Sequence, residues 1–271
     1  MIDTHCHLTF PDYAGRVDEV LERARGLGVT GAITICTTSG EATEIADFAD
    51  AHEGVWCSTG IHPLYVSDDI RDWRALRATI ARDVCVAWGE LGLDMYRERD
   101  IGLLDLQKDV LAEQLALIES CVDDGIDKPI AVHCRRAVQE LLPILRSSKL
   151  RPERFVFHCF TESPDDARAV LDYGANLSFT GVVTYKNAPE VRESARLVPI
   201  DRVFVETDAP FLSPEPVRGT RPCEPGFTAY TAKRLAELYG MDIEAFAEQM
   251  DANVRRFYGI ETPARAAGTL A

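Results

Sequence analysis

Eight times along the chain a short run rich in β-branched residues gives way to a segment with helical spacing, and this alternation constrains the fold more than any other feature. The runs are MIDTHCH (1–7), GAITIC (31–36), VWCSTG (55–60), VCVAWGE (84–90), PIAVHC (129–134), FVFHCF (155–160), NLSFTG (176–181) and VFVETD (203–208). Between them lie GRVDEVLERARGLG, SGEATEIADFADAH, DIRDWRALRATIARD, DLQKDVLAEQLALIESCVDDG and SPDDARAVLDYG, with apolar residues recurring at helical positions and often a glycine near the end. Strands alternating with amphipathic helices predict a parallel sheet covered by helices. Eight such units fit an α/β fold, a (β/α)8 TIM barrel, better than an open doubly wound sheet. The open sheet usually has fewer strands and often carries a G-x-G-x-x-G fingerprint, and neither that fingerprint nor a Walker loop follows any of these runs.

A length of 271 residues is ordinary for one such barrel, so a single domain over 1–271 is expected. The tail, through MDIEAFAEQMDANVRRFYGI, reads as a helix pair over about 227–258 packed on the barrel, with 261–271 as a flexible end. A hydrophobic share of 46% with 27% charged residues is the composition of a soluble globular enzyme. The N-terminus has neither a basic leader nor an apolar core, and no apolar run approaches the roughly 18 residues of a membrane helix, so a cytoplasmic protein without membrane attachment is expected. No feature marks an obligate protein partner. The eight cysteines, at 6, 36, 57, 85, 121, 134, 159 and 223, show no C-x-x-C spacing and read as free, mostly buried thiols. A net charge of −15 argues against a non-specific nucleic-acid coat. Any nucleic-acid substrate would be bound only at a site made locally positive by divalent cations and a few arginines.

The ionisable residues of the predicted strands cluster at one end. His5 and His7 end the first run, Glu90 the fourth, His133 the fifth, His158 the sixth and Asp208 the eighth. In an extended strand residues i and i+2 share a face, so His5 and His7 can reach one ion together while Cys6 points away. In a barrel the C-terminal strand ends form the catalytic mouth, where these six residues would converge. Four imidazoles and two carboxylates exceed what one open catalytic ion needs and suit two ions sharing a bridging carboxylate, for which Glu90 is the candidate. Such a pair would clamp attacking and leaving oxygens and lower the pKa of a bound water, and Asp208 could hold one ion and accept the proton. The nitrogen-rich set favours Zn²⁺ or Mn²⁺ over an all-oxygen Mg²⁺ cage without fixing the metal.

The same parity places Asp3 and Glu206 two residues from a ligand, where each either orients a histidine or is simply a polar residue in a tight strand end. Arg135 follows His133 by two and can meet a phosphate at the mouth. Phe160 stands likewise to His158, either as a stacking surface for a base or as packing. His62, in GIHP after the third run, lies on the catalytic rim as a substrate contact or a support for the ligands. Cys6, Cys134 and Cys159 each follow a ligand histidine and are expected to face the helices. His52, near a helix end, is expected to have no role.

The stretches DTHCHL, GIHP, GELGLDMY, AVHCRRA, FHCFTES, SFTGVVTYKNA and PIDRVFVETDAPFLSPEPVRG resemble, in order from residue 2 to about 226, the TatD family of metal-dependent deoxyribonucleases within the amidohydrolase-like barrel superfamily. The resemblance implies a TIM-barrel metallohydrolase with ligands at His5, His7, Glu90, His133, His158 and Asp208, the set that the strand ends select. It also implies two divalent ions (Mg, Mn or Zn) and a DNA substrate bound at the mouth. The implied activity is phosphodiester hydrolysis, commonly 3'-to-5' on single-stranded DNA, with roles in DNA repair or turnover. Many relatives in the wider superfamily carry a modified lysine at the end of the fourth strand, and VCVAWGELGLD has none, which favours the TatD branch over the phosphotriesterase-like one. The loop VRGTRPCEPG departs from the family form by about one extra residue. A competing reading is hydrolysis of a carboxylic ester or amide, such as an aminoacyl ester on tRNA, because the same activated water can attack a carbonyl. A third, a barrel kept only as a binding scaffold, would predict missing ligands, and none is missing.

Overall fold

The computed structural model describes residues 1–96 and 102–264, so most of the tail expected over 261–271 lies outside the described residues. All eight predicted runs form strands: β1 Ile2–Cys6, β2 Gly31–Thr34, β3 Val55–Thr59, β4 Cys85–Asp94, β5 Ile130–Arg135, β6 Phe155–Phe157, β7 Asn176–Phe179 and β8 Val203–Val205. They pair in chain order and in parallel throughout. The seam between β8 and β1 is closed just past the strand ends by a Cys6–Ala209 bridge, with Asp208 N donating to His5 O at 2.9 Å and His7 N to Ala209 O at 2.7 Å. This is a (β/α)8 barrel.

Helices cover the outside: α1 Val17–Gly26, α2 Ala42–Asp50, α3 Trp73–Ile80, α4 Leu104–Asp123, α5 Val138–Ser147, α6 Pro164–Tyr173 and α7 Pro189–Leu197. The tail differs in detail from its expected form. MDIEAFAEQMDANVRRFYGI holds one helix, α9 Ile243–Tyr258, and its partner is the upstream α8 Thr228–Tyr239. Gly240, in the left-handed conformation at φ 65°, ends α8, and the Asp242 side chain accepts from Glu244 N at 2.9 Å to start α9.

Outward-facing strand residues such as Ile130, Val132, Phe155 and Leu177 pack against the helix layer. The inward face begins with a separate apolar plug of Ile2, Ile33, Val86, Ala131, Val156 and Phe204. Residues Val254, Phe257 and Tyr258 of α9 close it from below, with Phe204 ring centroids 5.0 Å from Phe257 and 5.7 Å from Tyr258. Each such aromatic contributes about 2–3 kcal/mol by leaving water. No described helix is long and apolar enough to cross a membrane. The eight cysteines are free thiols.

Candidate metal centre at the barrel mouth

Above the plug the inward positions turn ionisable within one step of the strand repeat. Ala131 gives way to His133 on β5, Val156 to His158 after β6, and Phe204 to Glu206 after β8. These side chains meet around Glu90. Its Oε2 lies 3.2 Å from His5 Nε2, and its Oε1 lies 2.8 Å from His158 Nε2, 3.3 Å from His62 Nε2 and 2.5 Å from His133 Nδ1. Asp208 Oδ1 stands 3.4 Å from His7 Nε2 and 3.9 Å from His5 Nε2. The His5 and His158 rings stack with centroids 3.8 Å apart. The six expected ligands therefore share one cluster, beneath and around a cavity of about 470 Å³ that opens at the mouth.

Two glycines bring Glu90 to this centre. Gly89 and Gly92 take φ of 118° and 144°, and a Cβ on either would collide with β5, at the carbonyl oxygen of Ala131 or of His133. β4 thus approaches β5 closely where Glu90 projects. Among the five described non-glycine residues in the left-handed region, Asp208 (φ 62°), Cys159 (φ 45°), Arg136 (φ 56°) and Leu212 (φ 57°) all lie in the loops at the mouth. Such backbone is held only where surrounding structure over-determines it, and it gathers at functional sites.

Electrostatics follow from crowding. Burial alone would raise the Glu90 carboxyl, but His158, His62, His133 and His5 outweigh it and hold its pKa well below the usual carboxylate range. Burial opposes charge on His158 too, yet Glu90 and Glu206 on its two sides raise its pKa well above the ordinary imidazole value. For His5, burial and then the stacked His158 lower the pKa. For Asp208, burial is overcome by the hydrogen bond from His7 and by the charges of His158, His7 and His5, so its pKa falls. Pairing within the cluster is incomplete: His5 Nε2 and His158 Nδ1 have only the Glu90 and Glu206 carboxylates at 3.2 and 3.4 Å, and the buried His7 Nδ1 has no hydrogen-bond partner among the described residues. A buried nitrogen without a partner costs about 1–3 kcal/mol. Among the described residues, three triads bring one ligand atom each within 4.8 Å of one another: His5, His7 and Glu90; His62, Glu90 and His133; His5, His158 and Glu206. Imidazole and carboxylate donors at this spacing, with His7 Nδ1 buried and unpartnered among the described residues, fit divalent metal ions.

The structure also corrects parts of the strand-parity reading. β4 does not end at Glu90 but runs on to Asp94, and a register shift between Trp88 and Leu91 carries Gly92 opposite His133 and Asp94 opposite Arg135. Asp94, which parity from Glu90 could have revealed on a longer strand, is buried and places Oδ2 3.1 Å from His133 Nε2. Asp3 does not share the face of His5. Between Asp3 and Cys6 strand β1 advances three residues while β2 advances two, so the alternation slips. The Asp3 carboxylate instead accepts from His5 N, Thr207 N and Thr207 Oγ1, tying the β1–β8 seam without touching an imidazole. Glu206 does reach a ring, with Oε1 3.4 Å from His158 Nδ1 and accepting from Cys159 N at 2.6 Å.

Phe160 is no stacking surface. It is 2% exposed and packs edge-on against Phe179, because β6 has ended and the left-handed Cys159 turns the chain. For the same reason Cys159 lines the cavity rather than facing the helices, and Cys134 also contributes to its wall. Arg135 is exposed and lines the mouth. His62 comes closer to the centre than a rim position implies: its Nδ1 accepts from Leu64 N at 3.0 Å, which turns Nε2 toward Glu90.

A (β/α)8 barrel with a histidine and carboxylate metal centre at the C-terminal ends of its strands defines a barrel metallohydrolase. Comparison with known proteins narrows the class. The model of the TatD related DNase family matches residues 2–259, and this chain belongs to that family. It is 35% identical to the uncharacterized metal-dependent hydrolase YcfH of Escherichia coli strain K12, with 96% of each chain covered. It is 31% identical to a protein of Pantoea ananatis named 3'-5' ssDNA/RNA exonuclease TatD, over 96% of this chain and all of that one. The crystal structure of YjjV, a TatD homologue from Escherichia coli K12, superposes with a TM-score of 0.86 at 26% identity, covering 96% of this chain and 98% of the other. The chain is a metal-dependent hydrolase.

Proposed function

We propose that this protein hydrolyses phosphodiester bonds of DNA, acting from the 3' end of single strands, at a centre around Glu90 whose residues would hold two divalent ions. The observation that carries the reading is the division of labour on that carboxylate: Oε2 faces His5, while Oε1 faces His158, His133 and His62. On this reading His5, His7, Asp208 and Glu90 would hold one ion, and Glu90, His133 and His158 the other. The name of the Pantoea ananatis relative supports the substrate.

Bound divalent ions supply a water activated at neutral pH and positive charge for the reacting phosphate. The side chains do the rest. Asp208, held as a carboxylate by His7 and its neighbours, is the base that takes the proton of the attacking water. Arg135 at the mouth pairs with a backbone phosphate and sets the scissile bond over Glu90. Glu206 and Asp94 hold the rings of His158 and His133 in orientation. As the water oxygen bonds to phosphorus, the bond to the 3' oxygen breaks and that oxygen leaves as a hydroxyl, taking up a proton from solvent while Asp208 gives the one it received back to solvent.

The test is digestion of single-stranded DNA labelled at either end by EDTA-stripped protein given back Mg²⁺, Mn²⁺ or Zn²⁺. Stepwise loss from the 3' end that disappears in Asp208→Asn is the expected result. Substantial turnover by that variant would remove Asp208 as the base. Absence of cleavage with every metal would move the substrate to esters or amides, and release of amino acid from an aminoacylated RNA end would then be measured.

A further inference from the structure

The large apolar or aromatic side chains exposed among the described residues are Tyr65 (39%), Ile70 (75%), Tyr96 (44%) and Phe211 (50%), and the three aromatic ones all stand at the mouth. They rise from the loops after β3, β4 and β8, and in an eight-stranded barrel β4 and β8 are on opposite sides. On the β8 side a chain of rings leads outward from the centre: His7 stacks on Phe10 at 4.7 Å, and Phe10 meets Phe211 edge-on at 6.3 Å. On the β3 side Tyr65 meets His62 edge-on at 5.6 Å. On the β4 side the Tyr96 ring carries the guanidinium carbons of Arg135 at 4.1 Å and Arg136 at 4.8 Å. Among the described residues the carboxylate that acts on both is that of Glu162, which accepts from the Arg136 backbone N at 2.7 Å and leaves the two guanidinium groups on the ring.

Exposed rings forgo burial, and a set of them around one cavity marks a surface that something else covers. The occupant must suit flat aromatic faces and exposed arginines together, on a molecule whose net charge of −15 repels polyanions elsewhere. Unpaired nucleobases on a phosphate backbone have both properties: bases stack on rings whatever their identity, and phosphates pair with guanidinium. We infer that Tyr65, Phe211 and the Tyr96–Arg135 pair form a stacking rim that holds the unpaired bases of a single strand across the mouth. The inference rests on the phosphodiesterase reading of the same centre and adds what selects the substrate. The rim reads ring faces and phosphates, so it accepts a single strand of any sequence, and a duplex, whose bases already stack on each other, gives it nothing to hold.

Binding of fluorescent oligothymidylate, and of an abasic strand of equal length, to the EDTA-stripped full chain by anisotropy tests this, followed by cleavage of both strands with Mn²⁺ restored. Wild type should bind the base-bearing strand about a hundredfold tighter or more, since each of two stacking contacts is worth about tenfold. Phe211→Leu and Tyr65→Leu, which keep apolar bulk and remove the ring, should each lose about tenfold for that strand and nothing for the abasic one, with the loss in cleavage appearing in KM. Arg135→Ala should weaken both strands alike. Equal binding of the two strands by wild type, or leucine variants that bind as wild type does, overturns the rim while Mn²⁺-dependent cleavage of both strands leaves the nuclease reading standing. Failure to bind or cleave either strand with any metal overturns both.

Discussion

The two ends of this barrel are built from the same eight strands and do opposite things. At the floor the inward positions are Ile2, Ile33, Val86, Ala131, Val156 and Phe204, sealed by Phe257 and Tyr258 of α9. At the mouth, one or two steps further along the same strands and up to four on β4, they are His5, Glu90, Asp94, His133, His158 and Glu206. The plug gains stability from burial and asks nothing of chemistry. The mouth concentrates buried carboxylates and imidazoles, with His7 Nδ1 unpartnered among the described residues, which costs stability unless cations join them. The contrast shows how a barrel divides its labour: the lower layer secures the geometry that the upper layer needs in order to hold groups that would not otherwise stay together.

That division can be broken in order of effect. Glu90→Gln removes the anion from the middle of four histidines, and metal-restored turnover should fall about 1000-fold or more, roughly 4 kcal/mol of transition-state stabilisation. Metal content of the purified variant by mass spectrometry, with circular dichroism unchanged, separates loss of ligand from loss of fold. Phe204→Ala should do the reverse. It should cost about 3–5 kcal/mol of stability, read as a lower denaturant midpoint, while specific activity well below the melting temperature stays near that of wild type. If that variant lost activity before it lost stability, the two ends would not be separable.

Removing metal with EDTA should lower the melting temperature. Ions at about 1000 times their Kd stabilise by roughly 4 kcal/mol, and Glu90→Gln should show a much smaller response to the chelator. The smallest effect belongs to Asp94→Asn, which keeps size and one acceptor while removing charge from the Asp94–His133 contact. A loss of about 10–100-fold in metal affinity or activity is expected, against thousands for Glu90. A loss as large as that of Glu90→Gln would make Asp94 a ligand and require the set to be redrawn.

Much of this was legible in the chain. Each of the eight strands lies where a β-branched run stands, and the residues that close on Glu90 were visible as ionisable groups at the ends of those runs. What the alternation missed has a common cause. Asp3 was misplaced because β1 carries a bulge, Asp94 was overlooked because β4 shifts register and continues past Glu90, and Phe160 was misjudged because Cys159 turns left-handed. His62 shows the same gap from another side, since its ring is aimed by a hydrogen bond within its own loop rather than by any strand.

The sequence by itself determined the count of strands, the barrel class and the candidate ligands, because period-two and helical patterns are local and survive in any context that buries one face. Tertiary structure alone decided which side chains meet. A bulge, a left-handed residue and the collision that reserves Gly92 beside His133 exist only because a neighbouring strand or loop is there to impose them.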